Sequence, residues 1–329
     1  MLAGLSLLLG GCSLPSQPAD ESPPATTSGP VLVTSDVRYA AGPVGWRDPT
    51  LDLYVPADAG EPPVAVIVPD GTADPAAPDY VALARALAAR GVAAALVTWG
   101  VASPALTTLA GRPLADVVAQ TEQTTAEVAC ALAVVAQQAG PGTGTPARPL
   151  VVVGHGTGAN AAAMAVLTSP GLFAPCFSAD APPPVAAAVL WDGDWLGAVA
   201  GDVLGDGAAE FLRAYSPWPD VDSTRTSTYV EVGVNANRLV GLAVPAEPTS
   251  SYLTTRDPQG TMTADLRSVD TFADGAIDPV DVTRAFSVGL GDARVVSQER
   301  EVHGEGDPGT LGPRVRALVV DSVVQLTRP

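Results

Sequence analysis

The most constraining feature of this chain is the segment 150–160, in which an apolar run passes into a helical pattern through closely spaced glycines. Its sequence is LVVVGHGTGAN. Four consecutive apolar residues are typical of a strand that is covered on both faces of a sheet. Residues 159–167 strongly favour helix, and Gly154, Gly156 and Gly158 allow a tight turn between the two elements. The segment therefore predicts a strand–turn–helix unit of an α/β protein.

From Val31 onward, strand-like runs alternate with helical patterns, which predicts a mostly parallel central sheet with helices on both faces. Alternation of apolar and polar residues predicts an early antiparallel strand over Thr50–Pro56. The later buried strands are expected at 64–68, 92–97, 185–191, 228–234 and 293–302. Helices are expected at 80–88, 114–138 and 311–323. The polar segment 241–285 is expected to be either a small cap or a long loop.

This order resembles the α/β-hydrolase fold, specifically the secreted carboxylesterase and dienelactone-hydrolase-like branch. The resemblance rests on the strand Leu51–Pro56, on the turn 154–158 and on His303-Gly304 after the last strand. Residues 154–158, hereafter the elbow turn, match the G-x-S-x-G nucleophile elbow at every position but the centre. The resemblance implies an α/β-hydrolase domain over residues 31–329.

Acyl transfer in this fold uses a nucleophile, an imidazole, a carboxylate and backbone donors that face the oxyanion. The resemblance places the nucleophile at Gly156, which has no oxygen, and loss of a triad serine costs about a million-fold in turnover. Thr157 carries the adjacent hydroxyl, but its place in the turn points it elsewhere. His155 is expected to pack beneath the turn in a structural role.

The resemblance places the base at His303, although carboxylates on both sides also fit a surface-loop histidine. The acid position holds Asn237, which can hydrogen-bond an imidazole but cannot stabilise imidazolium by charge. Asp192 and Asp194 are the alternative acids, and the same pair also fits an ordinary turn.

Gly71 and Thr157 are the expected oxyanion donors. Asp70, beside them in the sequence PDGT, puts a negative charge where an oxyanion would form, which opposes acyl transfer. These departures predict a catalytically degenerate hydrolase that acts by binding a ligand or a partner. The alternative is an active ester hydrolase, in which the space at Gly156 holds a water that His303 activates.

Neither a cofactor nor a metal is expected. The two histidines are isolated, and the acidic loop 201–207 lacks EF-hand spacing. The glycines of the elbow turn do not have the spacing of a dinucleotide fingerprint. Trp191, Trp195 and Trp218 fit either an apolar cleft or the core.

The first thirty residues predict export and anchoring. The apolar run 2–9 is too short to span a bilayer, but it fits a signal peptide, although no basic residue precedes it. The tetrad ending at Cys12 resembles a bacterial lipobox. Residues 1–11 are therefore expected to be a lipoprotein signal peptide and Cys12 the lipidated residue. The Ser/Pro-rich stretch 12–30 is expected to be a flexible tether.

The number of cysteines and the net charge restrict the expected location and partners of the protein. Cys130 and Cys176 remain as an even pair and predict a disulfide in an oxidising compartment, with two buried thiols as the alternative. Seventeen basic residues against thirty-five acidic ones give a net charge of −18, which argues against nucleic-acid binding. The expected location is the extracytoplasmic face of a bacterial membrane, held through Cys12. The expected partners are a small apolar ligand or a cell-envelope component.

Overall fold

The computed structural model describes residues 30–41, 49–71, 76–98, 113–138, 149–168, 176–178, 184–193, 195, 219–235, 242–243, 276–277, 279–303 and 311–328. The strands are β1 (Val31–Arg38), β2 (Thr50–Pro56), β3 (Val64–Val68), β4 (Ala93–Thr98), β5 (Leu150–His155), β6 (Ala187–Trp191), β7 (Tyr229–Asn235), β8 (Leu242–Ala243), β9 (Ala276–Ile277) and β10 (Ser297–Val302). The helices are α1 (Pro78–Ala89), α2 (Leu114–Gln138), α3 (Thr157–Leu167), α4 (Pro279–Asp292) and α5 (Pro313–Leu326).

Eight of the strands form one sheet in the order β1-β2-β4-β3-β5-β6-β7-β10. β2 pairs antiparallel with β1 and with β4, and all the other pairs in this sheet are parallel. Because parallel strands end at the same edge, the residues that follow β3, β5, β6 and β7 lie side by side. β8 and β9 form a separate antiparallel pair.

The sheet is buried on both faces because its central strands are continuous apolar runs. Every residue of β3, β5 and β6 is buried. Alternate side chains pack into two clusters, one with α2, α3 and α4 and the other with α1 and α5. Val152 points to the first cluster and its neighbour Val153 to the second, as the strand period of two requires. The predicted mostly parallel sheet with helices on both faces is confirmed.

The bounds of β2, β3 and α2 agree with the sequence prediction, but α4 was not predicted. Its buried side chains, Val282, Phe286 and Leu290, repeat at four-residue spacing within a stretch that reads as polar. The predicted strand 293–302 was too long, because α4 ends at Asp292 and the chain then turns through Arg294 at a φ of 63°. Whether the rest of 241–285 forms a cap stays a prediction.

The predicted disulfide is present between Cys130 on α2 and Cys176, with the Cα atoms 5.8 Å apart. Cys176 also pairs through its backbone with Ala40, and the next N–H, that of Phe177, donates to the Tyr39 carbonyl. The disulfide therefore joins the middle of α2 to residues 176–177, which in turn pair with the residues that follow β1.

No helix in the described ranges combines the length and apolar character needed to cross a bilayer. Several sequence predictions concern residues outside those ranges, namely the signal peptide 1–11, Cys12, the tether 12–30 except for Pro30, Asp194, Asn237, the loop 201–207 and Trp218.

We predict that replacing Cys130 and Cys176 together by alanine lowers the free energy of unfolding by about 3–4 kcal/mol. The physical reason is the added chain entropy of an unfolded state that no longer contains a closed loop across the 46-residue separation. Urea denaturation of the wild type, with and without reductant, checks the value. The reduced wild type should unfold with the double variant, and an unchanged midpoint in that variant would contradict the prediction.

Candidate functional site

The elbow turn joins β5 to α3 and has the backbone conformation that its central glycine permits. Gly156 has φ 57° and ψ −132°, a region that side-chain-bearing residues rarely adopt. Its N–H donates to the Trp191 carbonyl over 2.9 Å, which ties the turn to the end of β6. A side chain on Gly158 would collide with the Pro69 carbonyl, so this glycine is required for close packing. The predicted strand–turn–helix unit is confirmed.

The side chain of Asp70 lies directly over Gly156. A Cβ atom built on Gly156 would stand 2.6 Å from Asp70 Cγ and 2.8 Å from Asp70 Oδ2, closer than real Cβ atoms come to other groups. Asp70 follows the end of β3 and is only 8% exposed. The space at the centre of the elbow turn is therefore filled by a carboxylate.

This carboxylate binds the first residue of α3. Asp70 Oδ1 accepts hydrogen bonds from the Thr157 hydroxyl over 2.7 Å and from the Thr157 backbone N–H over 3.3 Å. Gly156, at the N-cap position, has no side chain to cap the helix, so Asp70 supplies the acceptor from the neighbouring strand. A negative charge at this end of a helix is also favoured by the helix dipole.

Gly71 and Thr157, the expected oxyanion donors, do come together. The Gly71 N–H donates to Thr157 Oγ1 over 2.9 Å. The Thr157 N–H is directed at Asp70. Both of these backbone N–H groups are therefore already hydrogen-bonded to other groups of the protein.

A second row of buried polar groups lies behind Asp70. The Asp70 N–H donates to the Tyr80 hydroxyl over 3.0 Å, and that hydroxyl lies 2.7 Å from Nδ1 of His155. Burial raises the pKa of the Tyr80 phenol, which therefore stays protonated. His155 is buried beneath the turn, as predicted.

Asp192 approaches His155 from the other side. It follows β6 with a φ of 53°, and its Oδ1 accepts the Asn235 N–H over 2.7 Å. Its Oδ2 stands 3.5 Å from His155 Nε2, which is too long for a well-formed hydrogen bond but close enough for electrostatic attraction. These contacts link Asp192 to the elbow strand through His155.

His303 makes no hydrogen bond or ion pair with this cluster among the described residues. It follows β10, which is separated from β5 by two strands, or about 14 Å across the sheet. Its ring is 73% exposed, and its Nε2 lies 2.7 Å from a carboxylate oxygen of Glu301. This geometry corresponds to the surface-histidine alternative. The roles of His303 as base and of Asp192 as its acid stay predictions.

Two features of the site, the contacts of the Tyr80 hydroxyl and of the Asn235 N–H, were not predicted from the sequence. Tyr80 was recognised only as a buried helix residue, because its spacing gives no information about its hydroxyl. Asn235 contributes only its backbone N–H, which donates to Asp192, and every residue except proline has such a group. Trp191 and Trp195 are both buried, which fits the core alternative, and Trp195 stacks on Phe286 with ring centroids 3.7 Å apart.

Within the described part of the chain, no cluster of three or more His, Cys, Asp or Glu side chains is arranged to hold a metal ion.

The chain matches no known family model and none of the curated proteins by sequence. Its structure is similar to a thermophilic esterase from the Planctomycetes species Thermogutta terrifontis with butyrate bound. The identity is 17% and the TM-score 0.57, over 92% of this chain and 96% of that one. It is also similar to a truncated carbohydrate esterase from gut microbiota, at 14% identity and a TM-score of 0.51, over 93% and 99% of the two chains. These similarities confirm the predicted α/β-hydrolase fold.

We predict that Gly156→Ala lowers the free energy of unfolding by about 2–4 kcal/mol, because the new methyl group adds a collision with Asp70 to the strain of a positive φ. In an Asp70→Gly background the collision is gone, so the cost of Gly156→Ala should fall by about 1–2 kcal/mol. Urea denaturation of the four proteins measures this coupling.

Gly91→Ala is the matched control for this cycle. Gly91 also has a positive φ, of 85°, but a Cβ there would meet nothing within 4 Å. The loss of unfolding free energy in Gly91→Ala therefore measures the strain of a positive φ without a collision. It should be the same with and without the Asp70 side chain. If the losses of unfolding free energy caused by Asp70→Gly and Gly156→Ala simply add in the double variant, the two positions are not in contact, which would contradict the geometry described here.

Proposed function

We propose that this chain is a lipid-anchored, extracytoplasmic protein of α/β-hydrolase fold that has lost acyl-transfer catalysis and acts by binding a ligand or a partner. The observation that carries the proposal is the position of the Asp70 carboxylate. It occupies the space over Gly156 in which the side chain of a nucleophile would stand.

The hydroxyl that remains in the elbow turn is not directed at a substrate. Thr157 Oγ1 donates its proton to Asp70 and accepts the Gly71 N–H. Both bonds hold it against the end of β3, within the protein. This supports the loss of a nucleophile from the elbow turn.

Electrostatics also opposes acyl transfer at this place. An oxyanion forming beside Thr157 would stand next to the Asp70 charge. At about 4 Å and an effective dielectric constant near 20, two like unit charges repel by about 4 kcal/mol, or about a thousand-fold in rate. The Thr157 N–H that would offset this charge already faces Asp70.

The alternative function is ester hydrolysis by a water that His303 activates over Gly156. It needs open space at Gly156 and an imidazole nitrogen beside that space. Asp70 fills the space, and Nε2 of His303 lies against Glu301. These contacts favour the degenerate function over this alternative.

Sequence features support the proposed location. Cys12 lies at the end of a lipobox-like tetrad, and the tether 12–30 would hold the domain off the membrane. The Cys130–Cys176 disulfide fits an oxidising compartment. The acidic balance of the chain favours cell-envelope components or small ligands over nucleic acids as partners.

We predict that the purified wild-type protein hydrolyses p-nitrophenyl acetate and butyrate no faster than buffer does. A serine-directed fluorophosphonate probe should leave it unlabelled, whereas an active esterase run in parallel should be labelled. His303→Ala should leave the background rate unchanged. Wild-type turnover that disappears in His303→Ala would establish the alternative and overturn the proposal.

A further inference from the structure

We propose that β1 is a dimerisation edge, at which two copies of this chain pair their β1 strands antiparallel with Leu32 of each copy facing its counterpart. This interaction goes beyond the proposed function and does not depend on it. β1 is the last strand of the large sheet, beside β2, so no further strand of that sheet covers its outer side. Leu32 and Val33 are 58% and 42% exposed there.

The backbone groups of Val31 and Val33 point away from β2. The Ala57 N–H donates to the Pro30 carbonyl, which makes these two residues a hydrogen-bonded pair of the antiparallel ladder. Hydrogen-bonded and non-hydrogen-bonded pairs alternate along such a ladder, so Val31 and Val33 direct their N–H and C=O groups outward. Within the described ranges, no hydrogen bond joins these outward groups to another residue.

The outward groups define one self-complementary register. When Val31 lies opposite Val33 of a second copy, each residue donates to and accepts from the other, and the twofold symmetry repeats this pair. Leu32 then lies opposite Leu32 of the second copy, in a non-hydrogen-bonded pair whose Cα atoms are about 4.5 Å apart. A register shifted by two residues in either direction leaves only one pair between the outward groups.

Charge also favours this part of the edge for contact between copies. Residues 30–35 carry no charge in a chain with a net charge of −18, so two copies can approach there without opposing carboxylates. The other edge strand, β10, has the sequence SQEREV, and charged residues at an edge oppose strand pairing. Beyond the end of β1, Cys176 and Phe177 pair with residues 39 and 40 and cover the edge there. Residues 31–34 are therefore the part of the β1 edge that is both uncharged and open.

The interface is small, so the dimer should be reversible. A single pair of strands lies at the low end of the areas of specific interfaces, where complexes are weak and transient. We expect a dissociation constant in the micromolar range. Because the twofold contact uses the open edge of both copies, association should stop at the dimer.

Sedimentation equilibrium of the full chain tests the dimer. The parent protein carries Cys12→Ser, so that no acyl chain at this position can drive association, and it should pass from monomer to dimer over the micromolar range. Leu32→Asp and Leu32→Lys should each stay monomeric, because like charges would face each other directly across the axis. An equimolar mixture of these two variants should restore the dimer. Val296→Asp is the matched control, since Val296 is 66% exposed just before β10, and it should associate like the parent.

Disulfide formation measures the register. In the same Cys12→Ser background, Leu32→Cys should cross-link two copies in glutathione disulfide, because Cα atoms about 4.5 Å apart suit a disulfide. Thr34→Cys is the control, since in this register its counterpart would be about 13 Å away along the strands. Leu32→Cys should therefore cross-link at least about ten-fold faster than Thr34→Cys, as pairing raises the local thiol concentration.

A parent protein that stays monomeric throughout the range overturns the inference, as does a dimer that survives both charged variants. Failure of the mixture to associate, or loss of the dimer in Val296→Asp, also overturns it. If a charged variant does not melt cooperatively, the cross-linking rates decide, and equal rates for the two cysteine variants overturn the inference.

Discussion

The hydrogen bond between the Thr157 hydroxyl and the Asp70 carboxylate connects the end of β3 to the start of α3. A helix that begins after glycine has no side chain of its own to accept its first N–H groups, and this helix begins in the interior. Asp70, which follows the neighbouring strand, supplies an acceptor for the Thr157 N–H. The same carboxylate excludes any side chain at position 156. Asp70 thus both stabilises the start of α3 and leaves no room for a side chain at position 156.

The strand order brings the rest of the polar cluster to this contact. β3, β5, β6 and β7 are neighbours, and the groups at or just beyond their ends are Asp70, Gly156, Asp192 and the N–H of Asn235. His155 and Tyr80 lie between the two carboxylates and form hydrogen bonds or close electrostatic contacts with their surroundings. Buried polar groups are costly when they lose such partners, so the cluster ties the turn rigidly to four strands. One polar atom of the cluster, Nε2 of His155, is buried and makes no well-formed hydrogen bond, since Asp192 Oδ2 lies 3.5 Å away.

Local patterns were sufficient for much of the fold. The apolar run of β3 and the long amphipathic pattern of α2 gave their bounds, and glycine spacing predicted the elbow turn. The position of Asp70 next to Gly71, one of the two expected oxyanion donors, was also clear from the sequence. That its side chain fills the space over Gly156 was not, because this depends on the distance between two strands far apart in the chain.

The contact between His303 and Glu301 fits the surface-loop alternative that the flanking carboxylates suggested from the sequence. Residues two apart on a strand share a face, so Glu301 at the end of β10 was a foreseeable neighbour of the residue that follows the strand. In contrast, no local pattern could have identified the Tyr80 hydroxyl as the acceptor of the Asp70 N–H.

The most direct test of the central contact is the free energy of unfolding of Thr157→Val compared with Thr157→Ser. Valine has the shape of threonine but no hydroxyl, so it should leave the Asp70 carboxylate and the Gly71 N–H each without one partner, at a cost of about 2–4 kcal/mol. Serine keeps the hydroxyl and should cost less than about 1 kcal/mol. Equal stabilities for the two variants would show that Asp70 does not hold the start of α3, and would contradict this account.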